Sequence, residues 1–315
     1  MKLVTGLVAS VVLLCSQVRA YETDDYVMMP NGVGVHRECV HFHDIPFHVD
    51  HLGDQGEVVL EDGKSPHHNR PCPHPLLRKE GLEKNQRVNG ADSYYSGWVV
   101  YAEALANKVG SDDGESYSGM NSTWKVPPAP KSKGPLGLSS IYIFNGLEDG
   151  GGHHNASLIL QPVLSYGKSG CVLNPLHWGE WSFLSFLVSG SGRAHCGQRI
   201  PVKEGDVLQG SMQNLGGNKW QVTSLVPASN QKSVYTSQLG ADVSINAAYL
   251  TLEAMIIYSC AAFPGGKTTF YQNSLCKGPN SCKQSSFGWV KWLKHTECNQ
   301  NVEIDSASGD VAIIY

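Results

Sequence analysis

The sequence predicts an all-β protein, built as a sandwich or barrel of short antiparallel strands. Apolar, strand-forming segments recur about every 8–20 residues and are separated by turns rich in Gly, Pro and Asn. The helical patterns of about 10–15 residues that would connect parallel strands are missing. Gly, Ser, Tyr and Trp are common, and a chain of 315 residues is long enough for one large β-domain with extensions.

The predicted strands follow one another from residue 97 to residue 258. They are 97–103 (GWVVYAE), 118–127, 139–150 (a strand and then a turn), 157–167 (SLILQPVLSYG), 180–192, 200–212 around a Gly-Asp turn, 219–227 and 246–258. Residues 127–137 form a turn-rich loop between the second and third of these segments. Towards the C-terminus, 288–295 is predicted as a short amphipathic element and 309–315 as a closing strand.

Composition divides the chain into four parts. Residues 1–20 combine a basic start, an apolar centre and small residues before Ala20, a pattern typical of a secretory signal peptide. Residues 21–90 are rich in His and Pro and are predicted to form an N-terminal arm or pro-segment. Residues 91–260 are expected to form the β-sandwich core, and 261–315 a Cys-rich extension packed on that core.

The cysteines also indicate an extracellular protein. Cys15 belongs to the predicted signal peptide, which leaves an even set with no CxxC motif: Cys39, Cys72, Cys171, Cys196, Cys260, Cys276, Cys282 and Cys298. Such a set favours disulfides in an oxidising compartment. Their order suggests local pairs, 39 with 72 and 171 with 196, and two pairs among the last four. Two glycosylation sequons, at Asn121 and Asn155, are expected on exposed loops if they are used.

Several classes of function find no support in the sequence. The net charge is −4 with no long basic run, so nucleic-acid binding is not expected. No apolar segment after the signal peptide is long enough to cross a membrane. The HEXXH, GxGxxG and GxSxG motifs are absent, and we expect neither a cofactor nor a metal centre of known type.

Histidines are concentrated in the N-terminal arm. The stretch from residue 36 to residue 51 contains five of them, at positions 36, 41, 43, 48 and 51, and His67, His68 and His74 follow. Three interpretations remain open. The arm is simply polar and exposed; or imidazoles with a pKa near 6.5 act as a pH switch that releases a pro-segment; or His41, His43, His48 and His51 bind a metal ion.

Two polar residues stand out within otherwise apolar strands. Because side chains alternate across a strand, Gln161 shares a face with Ile159, Val163 and Ser165, while Glu253 shares a face with Thr251, Met255 and Ile257. A carboxylate and a carboxamide placed in this way can meet across a concave sheet surface. The alternative is that each residue makes ordinary hydrogen bonds to its neighbours.

A succession of short motifs between residues 93 and 258 resembles the eqolisins, the glutamic peptidase family. The motifs are YSGMNSTWKVP, IFNGLEDG, LILQPVLSYG, EGDVLQGSM and TLEAMI. The resemblance implies a concanavalin-like antiparallel sandwich (jelly roll), with Gln161 as the catalytic glutamine and Glu253 as the catalytic glutamate. A second register places Ala248 at the glutamate position and implies an inactive protein. The chain departs from the family at Phe144 and Ala254, where the family has Trp, and at Glu148, where it has Asp.

The resemblance implies a secreted, acid-acting glutamic endopeptidase with a protein or peptide substrate. Glu253 would take a proton from water and return it to the leaving amine, while the Gln161 amide stabilises the oxyanion. Substrate contacts are expected from the side chains Phe144, Glu148, Asp149 and Trp178. The competing hypothesis is a catalytically inactive extracellular binding or matrix protein on the same fold.

Overall fold

The computed structural model confirms an all-β fold. It describes residues 25–30, 33–51, 55–78, 95–106, 116–134, 137, 139–149, 158–188, 192–241, 243–277, 282–284 and 288–315. Within these ranges there are strands and short 3-10 turns but no α-helix, and none of these residues belongs to a helix that could span a membrane. The predicted signal peptide and the Asn155 sequon lie outside the described residues.

The strands are numbered in chain order. They are β1 (Tyr26–Met28), β2 (Val33–His36), β3 (Val40–Phe42), β4 (Phe47–His51), β5 (Glu57–Glu61), β6 (His67–Asn69), β7 (Leu77–Arg78), β8 (Tyr95–Leu105), β9 (Gly119–Lys125), β10 (Ser140–Glu148), β11 (Ile159–Gly167), β12 (Trp181–Val188), β13 (Ala194–Cys196), β14 (Ile200–Val202), β15 (Val207–Asn214), β16 (Lys219–Val226), β17 (Gln231–Gln238), β18 (Ala247–Ile257), β19 (Lys267–Cys276), β20 (Cys282–Gln284), β21 (Val290–Leu293), β22 (Asn301–Ile304) and β23 (Val311–Ile314).

Two large sheets form the sandwich. The first has the order β21-β8-β18-β10-β11-β12-β13-β3, with β14 also paired to β12. The second has the order β22-β23-β19-β9-β15-β16-β17-β4-β5-β6, with β20 also paired to β19. A small third sheet has the order β1-β2-β7. Most neighbouring strands are antiparallel, and the two exceptions are β3 beside β13 and β4 beside β17.

The main core lies between the two large sheets and follows the period-two alternation of the strands. In β10, for example, Ile141, Ile143 and Leu147 point into this core, whereas the intervening residues point to the opposite face. Trp124 of the second sheet meets Phe183 of the first edge-on, with ring centroids 5.4 Å apart. The first sheet therefore has two buried faces, an inner face towards the core and an outer face on its other side.

Both large sheets include strands from outside the predicted core. The N-terminal segment, residues 26–78, adds β3 to the edge of the first sheet and β4–β6 to the edge of the second. From the C-terminal part, β19 lies beside β9, and β21 extends the first sheet at β8. The predicted amphipathic element at 288–295 is thus a short strand, while the closing strand near the C-terminus is confirmed. Sequence reasoning missed β13, β17, β19, β20, β22 and the strands of the N-terminal segment.

Disulfides cross-link each of these parts of the chain. Cys39 bonds Cys72 and Cys171 bonds Cys196, which confirms the two local pairs predicted from cysteine order. The third disulfide joins Cys260 to Cys298. A further cysteine, Cys276, is also disulfide-bonded and lies directly opposite position 282 in the pairing of β19 with β20. The N-terminal segment, the central strands and the C-terminal part therefore each contain at least one cross-link.

Candidate functional site

The outer face of the first sheet contains both residues of the predicted catalytic pair. Strand pairing places Glu253 of β18 opposite Tyr142 of β10, and Tyr142 opposite Ser165 of β11. Directly paired residues point to the same side of a sheet, and Gln161 has the same parity as Ser165. Gln161 and Glu253 therefore share the outer face, as their alternation in the sequence predicts.

The register, however, separates the two residues along the strands. Glu253 is level with Ser165, which lies four residues further along β11 than Gln161, and two strand spacings lie between β18 and β11. These offsets correspond to about 16 Å between the two Cα atoms. The residue of β18 at the level of Gln161 is instead Tyr249, which pairs with Gly146. The register therefore does not bring Gln161 and Glu253 around one water molecule.

Glu148 is the carboxyl group that the sheet places next to Gln161. It pairs with Ile159, two residues before Gln161 on the neighbouring strand and on the same face. Such diagonal neighbours have Cα atoms about 7–8 Å apart, within reach of long side chains. Burial raises the pKa of Glu148 to about 8, hydrogen bonding with Tyr249 opposes this shift, and the charges of Asp149, Glu103 and Glu253 add to it. The covered Glu148 side chain is therefore a neutral acid at pH 7.

Two residues hold a second carboxyl group, that of Glu103, in place. The hydroxyl of Tyr249 donates to Oε1 of Glu103 at 3.0 Å, and the indole of Trp292 donates to Oε2 at 3.0 Å. The pKa of Tyr249 is raised far above its usual value by burial and by the neighbouring carboxyls of Glu148 and Glu103. Tyr249 therefore keeps its proton and acts as a hydrogen-bond donor between the two glutamates.

The amide of Gln161 is buried without a partner. The side chain is 0% exposed, and neither its oxygen nor its nitrogen makes a hydrogen bond to any of the described residues. The same holds for Oε2 of Glu148 and for the hydroxyl of Thr251, on the same face. Each such atom costs about 1–3 kcal/mol of stability. Buried polar groups without hydrogen-bond partners need an explanation. One explanation is that a ligand or substrate forms the missing hydrogen bonds.

Pro162 lies in a central strand without disturbing its register. It pairs with Ser185 of β12, and the pairs between β11 and β10 on either side of it keep one register. The second sheet makes room for the proline ring at Gly210, where a Cβ atom would lie 2.6 Å from Pro162 Cγ. The backbone carbonyl of Gly210 in turn accepts a hydrogen bond from Asn145 at 3.1 Å. Close approach of the two sheets thus accommodates the Gln-Pro pair.

The N-terminal segment covers the outer face. Its apolar side chains, among them Val27, Met29 and Val35, form one buried cluster with Phe144 and other residues of that face. The hydroxyl of Tyr142 donates to the backbone carbonyl of Met28 at 3.4 Å. Because of this cover, the polar residues of the outer face have no contact with solvent.

The other predicted site residues lie in three different environments. Phe144 is buried on the outer face, edge-on to Trp98 at 5.6 Å. Asp149 accepts a hydrogen bond at 3.0 Å from the backbone N–H of Leu158, which joins the two ends of the β10–β11 connection. Trp178 lies beyond the far end of β11, where its indole donates to the carbonyl of Val172 at 3.0 Å. The structure therefore brings Phe144 and Glu148 to Gln161, but not Trp178.

Asn121 lies on a strand rather than on a loop. It belongs to β9, is exposed, and donates a side-chain hydrogen bond to Ser274 of β19 at 3.1 Å. The expected loop position of this sequon is therefore wrong, although its exposure agrees with the expectation.

A second buried polar cluster, which we call the histidine row, joins the N-terminal segment to the first sheet. Nδ1 of His43 lies 2.6 Å from Glu61, Nε2 of His43 lies 3.1 Å from Nδ1 of His195, and Nε2 of His195 lies 2.7 Å from Glu57. Asn69 donates to the same Glu57 oxygen at 3.3 Å. Sequence reasoning identified His43 but missed its partners, because they come from three separate strands, β5, β6 and β13.

His41 and Arg193 lie beside the histidine row. The His41 ring is stacked on that of His195, with ring centroids 5.2 Å apart. The guanidinium of Arg193 lies 3.9 Å from Glu57 and donates to Nε2 of His41 at 2.8 Å. That hydrogen bond requires His41 to be neutral.

The electrostatics of the histidine row follow from its burial. Desolvation lowers the pKa of His41 to about 4, and the charges of His195 and Arg193 contribute in the same direction. Desolvation also lowers the pKa of His43 against the opposing effect of Glu61. Desolvation opposes the ionisation of Glu57, but hydrogen bonds to His195 and Asn69 together with the charges of His195 and His51 outweigh it and lower the pKa of Glu57 to about 2. A pocket of about 320 Å³ beside His43 and Glu61 connects this end of the row to solvent.

Comparison with known proteins finds similarity at the level of the fold. No family model matches the chain, and no curated protein matches it. Among solved structures, Scytalido-glutamic peptidase with a peptide-based transition-state analogue is 13% identical, with 70% of this chain and 99% of that chain covered and a TM-score of 0.49. SCP-B, a member of the eqolisin family in complex with the tripeptide Ala-Ile-His, is 13% identical over the same shares, with a TM-score of 0.47.

Aspergilloglutamic peptidase from Aspergillus niger is 15% identical, with 56% of this chain and 99% of that chain covered and a TM-score of 0.41. These low identities describe a likeness of fold, so we argue the function from the site itself.

Proposed function

We propose that this chain is a secreted peptidase that is held inactive by its own N-terminal segment, with Gln161 and Glu148 as the reacting pair. The observation that carries the proposal is the unpartnered amide of Gln161 beside the protonated carboxyl of Glu148 on a covered face. The motif resemblance to glutamic peptidases supports the role of Gln161. Disulfides, which persist in oxidising compartments, support secretion.

Uncovering the outer face would change the chemistry of Glu148. While the face is dry, its raised pKa keeps the carboxyl protonated and unable to accept a proton. Water that enters the face lowers this pKa towards about 4.3, so that the group ionises in mildly acidic solution. The cover therefore blocks substrate and also disables the general base.

The reaction would proceed through addition of water to the peptide carbonyl. Glu148 takes a proton from the water molecule while the water oxygen bonds to the carbonyl carbon. The amide N–H of Gln161 donates to the resulting oxyanion and stabilises it. Glu148 then returns the proton to the leaving nitrogen, the C–N bond breaks, and an acid and an amine are released. Glu253 takes no part, because the register places it too far along the sheet.

The test compares three buried residues of the same face. The full chain, with a protease site inserted between residues 80 and 90, is incubated with an unfolded protein from pH 7 to pH 3, before and after cutting. We expect cleavage in acid, and a loss of at least about 100-fold on Glu148→Gln or Gln161→Leu. Glu253→Gln should retain activity. Loss in Glu253→Gln alone would reassign the base, and no cleavage by the parent at any pH would refute the peptidase.

One observation favours the alternative, a non-enzymatic extracellular binding protein. The position of β18 that is level with Gln161 is occupied by Tyr249, whose hydroxyl is engaged by Glu103. A binding module has no need of a carboxylate there. Retention of peptides or glycans by the cut protein, with no cleavage in the same assay, would support this alternative over the peptidase.

A further inference from the structure

His36, Glu38 and His74 form a group of potential metal ligands in the N-terminal segment, apart from both the outer face and the histidine row. His36 ends β2, Glu38 lies in the turn that follows it, and His74 lies two residues after Cys72. The residues singled out in the sequence as a possible metal cluster, His41, His43, His48 and His51, do not belong to this group. Within the described residues, it is the one group of three His, Cys, Asp or Glu side chains whose ligand atoms all lie within 4.8 Å of one another.

The distances within the group suit a single ion. Oε2 of Glu38 lies 3.3 Å from Nε2 of His74 and 4.0 Å from Nδ1 of His36, and all three atoms lie within 4.8 Å of one another. A triangle with these sides has a central point at most about 2.4 Å from each corner, and zinc–ligand bonds are about 2.0–2.2 Å. The separations therefore allow one ion to reach all three atoms once the imidazole rings are turned towards it.

Covalent and packing contacts hold the ligands together before any ion arrives. The Cys39–Cys72 disulfide joins the two stretches of chain that contain them, one residue from Glu38 and two from His74. Tyr26 packs edge-on against His36 at 5.1 Å, and its hydroxyl donates to the carbonyl of Pro75 at 3.2 Å. The chain entropy lost on binding is therefore small for three ligands so far apart in sequence.

We propose that His36, Glu38 and His74 bind one divalent transition-metal ion of the zinc class. Two imidazoles and one carboxylate favour such an ion over Mg²⁺ or Ca²⁺, which prefer oxygen ligands. Glu38 is 75% exposed, so the ion keeps at least one position open to water. The proposal does not rest on peptidase activity.

Metal binding would rearrange the two imidazole rings. They are stacked with centroids 3.5 Å apart and planes inclined by 17°. Lone pairs that lie in nearly parallel planes cannot converge on one ion, so one ring must tilt. The side chain of His74 is 35% exposed and has room to do so. Binding therefore exchanges the ring stack for a cross-link between β2 and the chain beyond Cys72.

Calorimetric titration of the full chain with ZnCl₂ at pH 7.5, after treatment with a chelator, tests the proposal. We expect one ion per chain and an increase in the unfolding temperature with added zinc. His74→Ala and Glu38→Gln should each weaken binding at least tenfold. His177→Ala is the matched control, because His177 also pairs with a glutamate, Glu180, at 3.1 Å, but within the described residues this pair belongs to no group of three potential metal ligands.

Several outcomes would overturn the proposal. They are absence of zinc binding by the parent chain, equal binding by the parent and the Glu38→Gln and His74→Ala variants, and loss of binding in His177→Ala alone. Circular dichroism and thiol titration of each variant establish that it is folded with its disulfides intact. Because Glu38→Gln changes an exposed side chain, it keeps the test decisive even if His74→Ala is misfolded.

Discussion

The outer face and the histidine row are both buried and polar, but they differ in how their polar atoms are satisfied. In the histidine row, His43, His195 and Glu57 are linked in a continuous series of hydrogen bonds. On the outer face, both amide atoms of Gln161 lack a partner among the described residues. A satisfied buried network specifies and stabilises a fold, whereas unsatisfied groups reduce stability and need another reason to be there.

The two regions also differ in their position in the sandwich. The histidine row joins edges of the sandwich, because His195 lies on β13 and its partners lie on or next to strands of the N-terminal segment. The outer face lies on central strands and is covered by that same segment. The row therefore helps to keep the cover in place, and changes to it should act on stability, whereas changes to the outer face should act on function.

Removal of Glu57 should have the largest effect on stability. Glu57→Ala leaves the nearby imidazole of His195 and the amide of Asn69 without their buried acceptor. We expect the free energy of unfolding to fall by about 3–5 kcal/mol, as when one partner of a buried charged pair is removed. Thermal unfolding at pH 7 measures the loss. Glu57→Gln, which keeps the shape and one acceptor, should lose less, and an unchanged midpoint in both variants would contradict the structural role of the row.

Acidification should weaken the histidine row before it affects the rest of the sandwich. His41 and His43 have pKa values lowered by burial, so they bind protons more readily in the unfolded chain. Their contribution to stability is present above pH about 6.5 and is lost as the pH falls, through about 4 for His41. Protonation of both rings would also place N–H groups on the facing nitrogens of His43 and His195, which are 3.1 Å apart.

Glu57 stabilises the folded state in its ionised form, as is usual for an acid whose pKa is lowered by folding. This stabilisation is present above the unfolded pKa of 4.5 and is lost as the pH falls through about 2. Amide hydrogen exchange between pH 7 and pH 4, corrected for intrinsic rates, should show earlier loss of protection in β3–β5 than in β10. His41→Phe should reduce this difference. Uniform loss across both regions would show that the row is not the acid-sensitive element.

The sequence was sufficient to predict the fold class and the shared face of Gln161 and Glu253. Both follow from period-two alternation, which is a local property. It was not sufficient to predict the level of each residue on its sheet, because register depends on pairing between strands that lie far apart in the chain. Local alternation therefore put Glu253 on the same face as Gln161, but it could not show that Glu253 lies level with Ser165, four residues further along β11.

The histidine row shows the same limit more strongly. His43 could be noticed because histidines cluster between residues 36 and 51, but Glu57, Glu61 and His195 carry no local signal. They meet only because β4 joins β17 and β3 joins β13 as parallel neighbours. Contacts between distant segments of this kind are outside what local patterns can predict.

Replacement of Gln161 by an apolar residue should change the free energy of unfolding less than Glu57→Ala does, and in the opposite direction. Gln161→Leu removes two buried atoms that have no hydrogen-bond partner among the described residues. We expect the free energy of unfolding to be unchanged or higher by about 1–2 kcal/mol. Asn145→Leu is the matched control, because it removes a buried amide whose nitrogen donates to Gly210. It should be destabilising, and a similar loss in both variants would show that Gln161 is structurally satisfied.

The smallest effect should come from a histidine–carboxylate pair outside the buried row. Nε2 of His48 lies 2.7 Å from Asp50, the same contact type as in the row, but Asp50 is 39% exposed. Water screens the attraction between partly exposed groups and can hydrogen-bond to each of them. Asp50→Asn should therefore lower the free energy of unfolding by less than about 1 kcal/mol. Thermal unfolding of Asp50→Asn beside Glu57→Ala measures the contrast. A loss at Asp50 as large as that at Glu57 would mean that burial is not what makes the histidine row important.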